Sequence, residues 1–334
     1  MAILKREIMK IWKPGLILAV LIMSVLWGYM FLSFPLQYFP NGPQMEAVYD
    51  QMMELTKKYG VTLEEEEWQQ EMKNMDIHYA NTDALTSILD VYENRYQAYE
   101  GRMSEYTKKQ QVRLQEMIEE NGLDGMMVYE ALENVQAYWR WAAILLLIGV
   151  VILTAPMITR ERLTGVEVLQ YSSKRGRRIV VSQYMAVMLS AIFFIAVGIT
   201  VLYGLYARNG VGFFWNNPIN SFYYSEIYWY DMTYGQYILC LLAIIICYIM
   251  GTVGITFALS CHSKNYISLM LKLVPVLILV SVLMYCTITW LFSFHNMLNR
   301  LTQVKGIEVI CSVTVLFIGV GSSVISLLQR ATYK

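Results

Sequence analysis

The sequence contains few charged residues, and this scarcity limits the classes of protein it can belong to. Only 16% of its 334 residues are Asp, Glu, Lys or Arg, whereas soluble proteins have about 25%. Hydrophobic residues make up 56%, and the mean hydropathy is +0.40. The 26 basic residues balance the 26 acidic ones, so the chain lacks the basic excess of a nucleic-acid-binding domain. This composition excludes a disordered chain and a typical soluble enzyme, and it predicts a polytopic membrane protein.

The sequence also lacks recognisable catalytic motifs. No Gly-Lys pair occurs, which excludes a phosphate-binding P-loop, and neither an H-E-x-x-H nor a G-x-S-x-G motif is found. The three histidines, His78, His262 and His295, fall in different regions and are not expected to share a site. All five cysteines lie in or beside apolar runs, which leaves no disulfide framework for the polar part of the chain. We therefore expect no enzymatic activity, metal ion or cofactor in this chain.

Six long intervals without charge predict six transmembrane helices. A helix needs about 20 mostly apolar residues to cross the hydrocarbon core, and continuous apolar runs exclude a β-barrel. The fold class expected is all-α. The predicted spans are 14–35, 138–159, 179–206, 236–260, 266–292 and 307–328.

Acidic residues are missing from the middle of these spans. A proton-coupled carrier normally has membrane carboxylates, so their absence argues against that class and indicates that any energy comes from elsewhere. Lys272 is the one ionisable residue well within a span. It either contacts a polar substrate or a neighbouring helix, or it extends its ammonium to the lipid headgroups, which is the interpretation we favour.

The distribution of Lys and Arg predicts the orientation of the chain. Basic residues concentrate in 1–13 and in the short loop 160–178, which predicts that both termini lie in the cytoplasm. Segment 1–13 is basic and amphipathic, which predicts an interfacial helix. Residues 36–137, 207–235 and 293–306 are then extracellular.

The acidic segment 36–137 is predicted to be a helical extracellular domain. A heptad pattern that runs from Leu85 to Tyr106 and is rich in tyrosine predicts one helix from Thr82 to Glu120. Asn121-Gly122 is a stop signal, after which the chain is expected to restart at Asp124 and continue into the second span. The pattern fits an extended stalk and a compact cap equally well.

The cytoplasmic loop 160–178 has two parts. Residues 159–171 fit a short amphipathic helix, and 172–178 form a small basic corner. Topology and lipid anchoring explain the charge, but they explain less well the order of a Glu, a Gly, an apolar pair and a Ser-rich basic corner. That order resembles the coupling loop of ABC-2-type transporter permeases, although the proline usual in its turn is missing here. The matching residues are Glu161, Gly165, Val168, Leu169, Ser172, Ser173, Lys174 and Arg175.

The resemblance implies a permease that is driven by another protein. A cytoplasmic ABC ATPase subunit would bind ATP and Mg²⁺, a second permease chain would complete the unit, and lipids would surround it. The implied activity is export of a lipid, peptide or other amphipathic compound. The alternative is a membrane scaffold or sensor whose acidic helical domain binds a partner.

The loop 207–235 is rich in aromatic residues and has two possible roles. Its side chains either line an exit for a hydrophobic substrate or form an aromatic belt at the membrane surface, which we favour. The candidate exit residues are Phe213, Phe214, Trp215, Tyr223, Tyr224 and Trp229.

Overall fold

The computed structural model describes residues 2–75, 83–120, 122–165, 176–223 and 227–332, and this part of the chain is helical without named strands. Three short 3₁₀ turns, Met103–Glu105, Ala207–Asn209 and Val211–Phe214, join longer elements. The α-helices are α1 Ala2–Ile11, α2 Pro14–Gln37, α3 Pro43–Tyr59, α4 Glu65–Met75, α5 Asp83–Glu93, α6 Arg95–Gly101, α7 Lys108–Glu119, α8 Tyr129–Leu163, α9 Gly176–Tyr206, α10 Tyr234–His262, α11 Tyr266–Ile288, α12 Met297–Thr302 and α13 Ile307–Thr332.

Six of these helices are long and apolar enough to cross a membrane, which indicates a multi-pass membrane protein. They are α2, α8, α9, α10, α11 and α13. Helix α8 is central, because 83% of its most apolar window is buried, against 11% for α2 and 22% for α11. The apolar faces of α2 and α11 are therefore open to lipid or to another subunit.

Helices α10 and α13 pack backbone to backbone through small residues. A Cβ added to Gly254 would lie 2.5 Å from the carbonyl oxygen of Gly319, and one added to Gly319 would lie 2.0 Å from that of Gly251. The Ser323 hydroxyl donates to the Gly254 carbonyl oxygen at 3.0 Å. Close approach of this kind is how helices associate in lipid, where water cannot drive apolar burial.

The bundle has two different ends. At one end lie α1, the last turns of α8, the C-terminal end of α10 and the last turn of α13; we name it the terminal end. At the other end, the described residues between positions 38 and 128 cover the loops between α9 and α10 and between α11 and α13; we name them the cap. The amide of Gln110 in the cap donates to the carbonyl oxygen of Phe294 at 3.3 Å, and the Tyr99 hydroxyl donates to that of Ser221 at 3.5 Å.

The prediction of one long helix from Thr82 to Glu120 is wrong. Within 83–120 the chain forms α5, α6 and α7, with breaks at Asn94 and after Gly101. The heptad residues nevertheless face inward, because Leu89, Tyr92 and Tyr99 are buried. The breaks let each short helix turn its apolar face onto the rest of the protein, so the segment is compact rather than an extended stalk.

The expected helical restart at Asp124 is also wrong. After a turn at Gly122 and Leu123, residues 124–128 run extended beside 61–63, where the Leu63 amide donates to the Asp124 carbonyl oxygen and the Met126 amide donates to that of Val61, each at 3.0 Å. Helix α8 begins only at Tyr129, which is still nine residues before the predicted start of the second span. The other long helices match their predicted spans to within a few residues, and α11 ends early at Ile288 because Trp290 and Phe292 have positive φ angles.

Candidate functional site

Glu161 lies in the last turns of α8, after an irregular turn of the helix at Ala155 and Pro156. Its side chain faces the interior, and the residue is only 9% exposed. One carboxylate oxygen accepts a hydrogen bond from the Lys10 ammonium, and the other accepts one from the Gln183 amide. Helix α8 is thereby bonded to both α1 and α9 by one side chain.

Lys10 joins two carboxylates at this point. Its ammonium lies 2.6 Å from a Glu7 carboxylate oxygen and also contacts Glu161. Burial alone would lower the pKa of Lys10, but its hydrogen bonds to Glu161 and Glu7 outweigh burial, and the pKa is raised. Lys10 is therefore a cation at neutral pH. We name Glu7, Lys10, Glu161 and Gln183 the polar hub.

Helix α1 is attached to α9 beyond the polar hub. Ile11 is buried, and the Trp12 indole nitrogen donates to the Ser190 hydroxyl at 3.1 Å while its ring meets Phe193 edge to face. Ile3 and Met9 remain exposed on the opposite side. The predicted amphipathic character of segment 1–13 thus corresponds to one face on α9 and one open face.

The neighbouring arginine connects α8 to α10. The Arg162 guanidinium donates to the carbonyl oxygen of Ser263 and, at 3.0 Å, to that of Cys261, both at the end of α10. Arg330 in α13 donates to the same Cys261 oxygen at 2.6 Å. Carbonyl groups at a helix C-terminus lack partners within the helix, so these arginines stabilise that end and lock three helices together.

Gly165 ends the described part of the loop. Its φ of +71° is a left-handed conformation that glycine adopts without strain, and its amide donates to the Arg162 carbonyl oxygen at 3.2 Å. The helix predicted over 159–171 is thus interrupted at Thr164 and Gly165, and its remaining residues, 166–171, lie outside the described residues. The other residues of the proposed coupling loop, Val168, Leu169, Ser172, Ser173, Lys174 and Arg175, lie outside the described residues.

Sequence reasoning identified Glu161 and Gly165 but missed the partners of Glu161. Lys10 entered only as a topology signal, and Gln183 was not singled out. Gln183 is a polar side chain two turns into an apolar helix, and that position was the available signal. Its contact with Glu161 depends on how α8 and α9 pack, which a single sequence does not specify.

Lys272 is exposed near the start of α11, at the terminal end. Its ammonium lies 3.4 Å from the His262 carbonyl oxygen at the end of α10. The side chain thus contacts the C-terminal end of a neighbouring helix, where a positive charge is favourable. Extension of the ammonium to the lipid headgroups stays a prediction.

The aromatic residues of the loop 207–235 pack into the protein at the cap end. Phe214, Tyr223 and Trp229 are buried, Trp215 is half-buried, and Phe213 is 38% exposed, while Tyr224 lies outside the described residues. Phe214 meets Tyr49 of the cap edge to face with ring centroids 5.2 Å apart, and Trp229 meets Phe294 at 4.6 Å. The contact between Phe214 and Tyr49 joins the loop to the cap, and both roles predicted for the loop, an exit lining and an aromatic belt, stay predictions.

A cavity of about 270 Å³ lies between the cap and the loops beneath it. Asn299, which is 2% exposed, contributes to its wall, and the Asn299 amide nitrogen has no hydrogen-bond partner within the described structure. The cavity therefore combines aromatic walls with a buried donor. It is lined by Glu105, Tyr106, Thr107, Lys109, Gln110, Trp229, Phe294, His295, Asn299, Arg300 and Gln303.

The polar hub connects α1, α8 and α9 through charged and polar side chains. Among the described residues, no three His, Cys, Asp or Glu side chains are grouped so that they could bind a metal ion. The ion pairs and hydrogen bonds of Glu161 and Arg162 instead connect α1, α8, α9 and α10. No protein-family model, curated protein or solved structure matches this chain, and its function is inferred from its own residues.

Proposed function

We propose that this chain is the permease subunit of an ATP-binding-cassette exporter in a bacterial plasma membrane, with both termini in the cytoplasm. A separate ATPase subunit docks at the terminal end, against the loop that follows α8. It binds ATP and Mg²⁺, and its movement is passed to the helices. Two permease chains and two ATPase subunits form the working unit, which exports a lipid, a peptide or another amphipathic compound.

The observation that carries this proposal is the attachment of the last turn of α8, from which the loop continues, to three neighbouring helices. A subunit without catalytic motifs needs a rigid connection through which a partner can move it. Glu161 provides one to α1 and α9, and Arg162 provides another to α10. A push on this loop would therefore displace four helices together. Glu161 itself is a positioning residue in this account, because its carboxylate is buried and already engaged.

The proposal is tested by measuring how transport is coupled to ATP hydrolysis, rather than by measuring whether the subunits bind. We expect Glu161→Gln, reconstituted in liposomes with the ATPase subunit, to reduce transport per ATP hydrolysed several-fold while the complex still assembles. Lys10→Gln, which breaks the same ion pair from the other side, should have a similar effect. Glu66→Gln is the matched control, since Glu66 is exposed in the cap. Unchanged coupling in both hub variants would overturn the assignment of this loop.

A ligand-binding membrane scaffold or sensor is the second candidate function. It is favoured by the cavity of about 270 Å³ at the cap end, whose wall includes Asn299, a buried residue with an amide nitrogen that has no hydrogen-bond partner in the described structure. Asn299→Leu should then abolish ligand-dependent stabilisation of the full chain, and no ATPase would be needed. Leu301→Asn, at an exposed position on the same short helix, is the control.

A further inference from the structure

A cleft of about 190 Å³ opens at the terminal end, between the start of α2 and the last turns of α8. Its walls are mainly apolar and come from residues that belong to the membrane-spanning helices. Its rim carries basic side chains. The cleft is lined by Lys10, Lys13, Leu16, Leu153, Pro156, Met157, Arg160, Glu161 and Thr164.

Two positive charges of the rim are available to a ligand. Lys10 is shared between Glu7 and Glu161, so these three side chains together carry one negative charge. Among the described residues, no carboxylate forms an ion pair with Lys13 or Arg160. Because Lys13 and Arg160 add two positive charges, the formal charge at the mouth of the cleft is +1. The mouth therefore selects for an anion.

The position of the cleft indicates the chemistry of the remaining part of the ligand. Lys13 directly precedes the first residue of α2, and Arg160 lies one turn before the end of α8, so both stand where a span meets the membrane surface. Leu16 and Leu153 lie deeper, within apolar stretches of the same spans. A ligand that fills this cleft has an anionic group at the rim and an apolar chain below it.

We propose that this cleft is a binding site for an anionic glycerophospholipid, whose phosphate contacts Lys13 and Arg160 while an acyl chain lies along Leu16, Leu153 and Met157. Basic pockets between helices at a membrane surface recognise lipid headgroups in this way. A bound lipid would bridge α2 and α8 next to the polar hub. The inference requires only that the chain spans a membrane, and it does not depend on the transporter proposal.

The experiment measures lipid retention by the purified full chain. The chain in mild detergent is exchanged against mixed micelles of phosphatidylglycerol and phosphatidylcholine in equal amounts, and bound lipid is counted by native mass spectrometry. We expect clear enrichment of phosphatidylglycerol. Each basic side chain contributes about fivefold at a membrane surface, so Lys13→Gln with Arg160→Gln should lower the enrichment roughly thirtyfold, or to none.

A matched control separates a site from general attraction. Lys5→Gln with Arg6→Gln removes the same charge from exposed positions on α1, outside the cleft, and should leave the enrichment unchanged. Equal losses in both double variants would overturn the proposal, as would equal retention of both lipids by the unmodified chain. If inorganic phosphate at millimolar concentration displaces phosphatidylglycerol completely, the acyl chain contributes nothing and the lipid assignment is wrong. A thermal unfolding curve without added lipid checks that each variant is folded.

Discussion

Lys10 and Glu161 form the contact on which the terminal end depends, and their coupling is measurable. Glu161→Gln, Lys10→Met and the double variant form a double-mutant cycle in the free energy of unfolding. Residues that are in contact through an ion pair have coupling energies of about 0.5–3 kcal/mol. We expect a value in that range, read from thermal or denaturant unfolding of the chain in detergent. A coupling energy near zero would mean that the two side chains do not stabilise each other.

The backbone conformation at position 165 explains why this residue is a glycine. Its φ is +71°, and an added Cβ would meet nothing within 4 Å. Gly165→Ala should therefore cost only backbone strain, about 1 kcal/mol. Gly204→Ala is the control, because an added Cβ there also meets nothing and the residue is helical. The result to compare is the shift in unfolding midpoint, and equal shifts for the two variants would contradict the left-handed turn.

Glu71 makes the stability of the cap depend on pH, and the direction of this dependence follows from its pKa. Burial would raise the pKa of Glu71, but hydrogen bonds from Lys58 and Tyr59 outweigh burial and lower it. A group with a lowered pKa stabilises the fold above its unfolded pKa and loses that contribution as the pH falls through its folded pKa. We expect a loss on the order of 1 kcal/mol or less between about pH 5 and pH 3, because Lys58 is half exposed.

The measurement is proteolysis of the cap in the full chain as a function of pH. Glu71→Gln should remove this part of the pH dependence and lower stability at neutral pH. Glu66→Gln, which alters an exposed carboxylate of the same helix, should leave the profile in place. A profile that is identical in the Glu71 variant and the unmodified chain would contradict the assignment.

The contact between α10 and α13 makes a prediction at the level of elements. A Cβ at Gly319 would lie 2.0 Å from the Gly251 carbonyl oxygen, which is backbone and cannot turn aside. Gly319→Ala should separate the helices and cost more than about 2 kcal/mol, visible as a large fall in the unfolding temperature. Gly321→Ala, two residues further on, meets nothing within 4 Å and should be tolerated. Equal stability of the two variants would mean that the helices do not touch here.

The positions of helices could be predicted from the sequence where a single local property, such as the length of an apolar run, determines them. The lengths of the apolar runs are set by the membrane, so α9, α10 and α13 begin and end close to the predicted positions. The heptad pattern placed Leu89 and Tyr92 on a buried face correctly, but not the number of helices that share that face. The breaks at Asn94 and after Gly101 depend on the loops that α5, α6 and α7 cover.

Elements that depend on distant partners could not be predicted. Gln110 reads as an interruption of the heptad pattern, yet its amide donates to the Phe294 carbonyl oxygen, 184 residues away. The extended course of 124–128 depends on residues 61–63, where the Leu63 amide donates to the Asp124 carbonyl oxygen at 3.0 Å. Such contacts join segments that are far apart in sequence, and a single sequence contains no record of them.

At the scale of the whole molecule, the two ends of the bundle are stabilised by different kinds of contact. The cap end is closed by aromatic packing between the cap and the loops beneath it, for example where Tyr92 meets Phe222 edge to face at 5.1 Å. The terminal end is held by charged side chains that cross from helix to helix, such as Lys10 and Arg162. Hydrogen bonds from charged side chains are directional, and they transmit a displacement of one helix to its neighbours. In our account the terminal end is therefore where a partner acts.

The identity of that partner is the most direct test of the account. The tagged chain should be purified from its native host in mild detergent, and the proteins that remain with it should be identified and counted. We predict a stoichiometric ATPase that has Walker motifs and hydrolyses ATP in the complex. The chain alone, under conditions in which an established ABC transporter processed alongside it stays intact, would contradict the permease assignment and favour the ligand-binding scaffold or sensor.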